Sequence, residues 1–68
     1  MKGKNLLQIK ILQSGKDKKY LAAAMNIRIE TFRIKMNTNG WKVSEILILI
    51  DALKLTANDV MDIFFYEN

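Results

Sequence analysis

Apolar residues recur along this chain at helical intervals, and the runs are separated by residues that start or stop helices. Leu7 and Ile11 stand one turn apart with Leu6, Ile9 and Leu12 around them. This spacing predicts a first helix from about Lys4 to Gln13, with Gly15 suited to its C-terminal cap. Asp17 then caps a second helix whose buried stripe is Leu21, Ala22 and Met25, and whose consecutive alanines let another helix come close. Asn26 tolerates a left-handed turn, after which a third helix starts near Arg28 or Ile29.

Trp41 and Ser44 flank the start of a fourth helix, in which Ile46, Leu49, Ile50 and Leu53 keep helical spacing. The run 46-ILILI-50 also fits a buried strand, because periodicity does not separate the two for short runs. Its continuation to Leu55 through Asp51, Ala52, Leu53 and Lys54, after Glu45, favours helix. Thr56 and Asp59 then have the spacing of a capping box, which opens a fifth helix carrying Val60, Met61, Ile63 and Phe64. The expectation is an all-α fold, one compact five-helix domain spanning residues 1–68.

The third helix carries the functional question. If Ile27, Phe32 and Met36 turn inward, a wheel at about 100° per residue puts Arg33 and Asn37 at the centre of the outward half. Ile29 and Ile34 bracket them, and small Thr31 and the Lys35 stem sit along the inward half.

Charge sharpens this picture. Up to Lys42 there are ten Lys or Arg against two acids, a net +8, and from Val43 onward one Lys against five acids, a net −4. A basic portion joined to an acidic one suits a polyanion-binding part followed by a packing or partner-binding part. Arg pairs bidentately with guanine, Asn with adenine, and an apolar side chain meets a thymine methyl, so the outward half of the third helix is a plausible major-groove face. Lys18 and Lys19 before it, and Lys35, Asn39 and Lys42 towards or beyond its end, are candidates for phosphate contacts. Glu30 is ambivalent, since it accepts from cytosine but repels phosphate.

The ordered residues of 15-GKDKKYLAAAMNIRIETFRIKMNTN-39 and 41-WKVSEILILIDALKLTANDVMDIFF-65 resemble the lambda-repressor-like, Cro/CI (XRE-type) helix-turn-helix domain, especially its small phage members. The similarity spans nearly the whole chain. It implies a helix-turn-helix whose third helix reads the major groove of a double-stranded DNA operator, usually as a homodimer. Carried over, Lys18 takes a phosphate-contacting position, Ile29, Glu30, Arg33 and Ile34 take base-reading positions, and Asn37 with the loop after it contacts the backbone. Arg28 stands where the family usually has a Ser or Thr cap, and adds a candidate phosphate contact. The two isoleucines stand where polar readers are usual.

Ile48, Phe64, Phe65 and Tyr66 add apolar residues beyond what a small monomer core uses, and are expected to form a homodimer interface from the fourth and fifth helices. The alternative is that Phe64 and Phe65 close the monomer core. Absence of His and Cys removes the commonest general base, thiol chemistry and the commonest metal ligands, so neither an enzyme nor a metal, cofactor or small-molecule ligand is expected. No apolar run is long enough to span a membrane, and the expected location is cytoplasmic. A second function class stays open: a helix-turn-helix modulator or antirepressor that binds another phage regulator through the outward isoleucines.

Overall fold

The computed structural model describes residues 3–65. Five helices follow in order: α1 (Gly3–Ser14), α2 (Lys18–Ala24), α3 (Ile29–Thr38), α4 (Val43–Leu53) and α5 (Ala57–Phe64). The run 46-ILILI-50 is helical, and no strand occurs among the described residues. The Cα radius of gyration of 10.8 Å is what a close-packed domain of this length has, about 11 Å. No described helix is long and apolar enough to cross a membrane.

The local signals act as their chemistry requires. The Asp17 carboxylate accepts from the Tyr20 N–H at 2.8 Å, capping α2. Thr56 and Asp59 form a reciprocal box at the start of α5: the Asp59 N–H donates to the Thr56 hydroxyl at 3.1 Å, and the Thr56 N–H to the Asp59 carboxylate at 3.0 Å. That backbone bond, aided by Lys10 at 3.3 Å and opposed by some desolvation, holds the Asp59 carboxyl below its ordinary range. Asn26 turns the chain at φ 59°, a left-handed conformation that asparagine tolerates. Ser44, by contrast, is exposed and does not cap α4. Lys42 occupies the cap position, and Glu45 in the first turn reaches back to accept from the Lys42 N–H at 2.8 Å.

The core gathers Leu7 and Ile11 of α1, Leu21, Ala22 and Met25 at α2, Phe32 and Met36 of α3, Leu49 and Leu53 of α4, and Ile63 and Phe64 of α5. Helix α1 packs against α4 and α5, while α2 packs against α3 and α4. Trp41, in the α3–α4 connection, presents an edge-on contact to Phe32 with centroids 5.2 Å apart and another to Phe64 at 6.4 Å. The Asn39 side-chain N–H donates to the Phe64 carbonyl at 2.9 Å. These contacts fasten the end of α3 to α5.

Two expected interface residues therefore sit elsewhere. Phe64 is 5 % exposed and belongs to the monomer core, because Trp41 and the end of α3 close over it. Ile48 is half-buried against the core, and its neighbour Leu47 is exposed, as is Val43 at the start of α4. Phe65 is exposed, and Tyr66 lies outside the described residues.

Candidate nucleic-acid interface

Helices α2 and α3 pack together across the connection from Met25 to Arg28. The orientation of α3 follows from which residues the core takes. Phe32 is fully buried and Met36 nearly so, and Ile29 is half-buried against the same core. With the core direction midway between Phe32 and Met36 and about 100° per residue, Ile34 lies roughly 180° away, Glu30 roughly 140°, Asn37 roughly 120° and Arg33 only roughly 80°. Ile34, at 60 % exposure, is the outermost residue of the helix.

This corrects the expected arrangement. The centre of the outward face is Ile34 with Glu30, not Arg33 with Asn37, and Ile29 is partly withdrawn into the core instead of bracketing the face. Ile27 precedes α3 and is off its wheel, so Phe32 and Met36 alone set the core direction, and relative to it Arg33 falls on one flank.

The two flanks of α3 each carry a cation, and they differ. On one flank Lys35 is largely buried; its ammonium donates to the Glu45 carboxylate at 3.0 Å and to the Gly40 carbonyl at 3.2 Å. Lys35 is thus committed inside the fold and is not a phosphate contact. Burial raises the Glu45 carboxyl, but the bonds from the Lys42 N–H and the Lys35 ammonium outweigh it and leave the group below its ordinary value. On the other flank, Arg33 faces α1 and α2 and forms no salt bridge among the described residues.

Arg33 borders two open clefts. One brings it together with the expected residues Lys18, Lys19 and Ile29. The other brings Arg33, Lys18 and Asn37 against Lys4, Asn5 and Gln8 of α1. The Lys4 ammonium donates to the Asn37 side-chain oxygen at 3.3 Å, joining the start of α1 to the last turn of α3. Arg28 is exposed at the N-cap of α3, where its side chain makes no capping bond. Asn39 and Lys42 border neither cleft, and the Asn39 side chain is already bound to Phe64.

Sequence reasoning missed Lys4, Asn5 and Gln8. Their signal was present as a polar row at i, i+1 and i+4 on α1, but a row on one helix does not reveal which other helix it faces. Compared with known protein families, curated proteins and solved structures, the chain gives no match.

Proposed function

We propose that this chain is a sequence-specific DNA-binding transcription regulator of the Cro/CI type, which occupies an operator with α3 in the major groove. The observation that carries the reading is the composition of the surface around α3. Its outward residues Glu30, Ile34 and Asn37 are exposed, Arg28 is exposed at its N-cap, and on the flank turned to α2 Arg33 shares clefts with Lys18, Lys19 and Asn37. A helix face of polar and apolar tips within a cationic rim matches what the major groove offers: donors and acceptors and thymine methyls at its floor, phosphates at its edges. Ile34 at the apex predicts an A·T pair in the half-site. A two-fold operator bound by a homodimer is part of this proposal.

Selection of bound duplexes from a random pool tests the reading. A defined motif, bound with an affinity that falls steeply with salt, supports it; recovery of no motif and no salt-dependent binding removes it.

One observation favours a second reading, in which the same fold binds another regulator. Ile34 is 60 % exposed, and Tyr20 and Leu47 are exposed beside one groove between α2 and α4. Capture of a repressor partner by the wild-type protein and its loss in Ile34→Asp, with no DNA affinity in either, would select this alternative.

A further inference from the structure

The cleft between α1 and α3 is lined by three cations and no carboxylate, as is a second cleft where Lys10, Lys16 and Lys54 meet, but in the second one of the cations, Lys10, already pairs with an acid, Asp59. Lys4, Lys18 and Arg33 converge on the first together with the amides of Asn5, Gln8 and Asn37. At two other helix contacts the fold pairs a lysine with an acid: Lys10 meets Asp59 between α1 and α5, and Lys35 meets Glu45 between α3 and α4. The nearest acids in sequence do not serve the cleft. Asp17, the α2 cap, borders the adjoining cleft that shares Lys18 and Arg33 but not this one, and Glu30 lies one turn before Arg33 without forming a salt bridge to it. The three cations around this open space repel one another, and an anion entering it would accept from them and from the amide N–H groups.

We infer that this cleft grips a phosphodiester of the DNA backbone, and that Arg33 is a phosphate-binding residue and not a base reader. The inference rests on the DNA-binding reading but reassigns its most prominent side chain. Arg33 stands on the flank of α3 turned towards Lys18 and Lys4, whereas Glu30 and Ile34 face directly away from the core. Sequence discrimination then falls to Glu30 and Ile34, and Arg33 sets the depth and register of α3 in the groove. The Lys4–Asn37 hydrogen bond holds the α1 side of the cleft against the last turn of α3, so α1 contributes to docking although it lies outside the α2–α3 pair.

The test measures binding of wild type, Arg33→Ala, Arg33→Lys, Lys18→Ala and Lys4→Ala to a selected duplex and to a random-sequence duplex over a salt series, with melting temperatures confirming that each variant folds. Each alanine variant is expected to weaken both duplexes by the same factor and to lower the log–log salt slope by about 0.9, the loss of one phosphate contact. Arg33→Lys is expected to keep most of the slope. The Arg33 side-chain and Asn37 amide NMR signals should shift with the random duplex as they do with the selected one.

If Arg33→Ala keeps the wild-type salt slope, the inference is overturned; if it also loses discrimination at one base pair, Arg33 is a base reader and the DNA-binding reading survives. Wild type lacking salt-dependent binding to either duplex removes both. If inorganic phosphate at matched ionic strength produces the same NMR shifts as the duplex, the cleft takes a free anion and its assignment to the DNA backbone fails.

Discussion

Replacing Glu45 tests how α3 is held at its working angle. Its carboxylate, only 5 % exposed as a residue, serves two bonds at once: it accepts from the Lys42 N–H at 2.8 Å and from the Lys35 ammonium at 3.0 Å. Loss of the capping bond costs about 1 kcal/mol. Loss of the charge-assisted bond costs about 1.5–3 kcal/mol. Lys35 keeps its bond to the Gly40 carbonyl and can turn towards water, which offsets part of the loss. Glu45→Ala should therefore destabilise by about 2–4 kcal/mol, most of what a domain of this size possesses.

Glu45→Gln keeps an oxygen for the Lys42 N–H but removes the charge, and should cost about 1–2 kcal/mol at pH 7. Because the folded Glu45 carboxyl lies below its ordinary 4.5, its contribution is complete above that value and is lost as pH falls through the lowered one. The gap between wild type and Glu45→Gln should accordingly shrink as pH falls from 5 to about 3. Urea unfolding followed by circular dichroism at pH 7, 5 and 3 measures this. A gap unchanged across that range would refute the ion-pair argument. So would a double-mutant cycle of Lys35→Met with Glu45→Gln that shows simple additivity.

Phe32→Ala removes a fully buried ring that packs edge-on against Trp41. At about 3–5 kcal/mol it should abolish the cooperative thermal transition seen by circular dichroism. Lys54 caps α4 at φ 54°, so Lys54→Gly, by relieving the left-handed strain, should raise the melting temperature, with a gain of about 0.5–1 kcal/mol. Thr56→Ala should cost about 1 kcal/mol through loss of the α5 cap, read from the urea midpoint. Ile34→Ala should leave stability within about 0.5 kcal/mol, since the side chain is exposed, yet reduce preference for an A·T pair at one position in competition binding.

The five helices were legible because each rests on short-range chemistry. Helical spacing, the Asp17 and Thr56–Asp59 caps and the left-handed Asn26 all act within about four residues, so the chain itself displays them. Even the helix over 46-ILILI-50, ambiguous by period, followed from its length and flanking helix formers. The cationic character of the region around α3 was equally visible, since charge counts do not depend on contacts.

What the tertiary structure decided was direction. An angular position on α3 acquires meaning only when the core direction is known, and burial of Phe32 and Met36, with Ile29 half-buried beside them, puts Arg33 on the flank and Ile34 at the apex. Likewise Lys35 read as a phosphate ligand until Glu45, ten residues on, came within 3.0 Å, and Phe64 read as surface until Trp41 and Asn39 closed over it. Lys4 and Asn37 lie 33 positions apart and meet only because the folded chain brings the start of α1 to the last turn of α3. Local rules specify what each helix is and where it stops. Which faces meet depends on how apolar stripes from all five helices share one core, and that is a property of the packed whole.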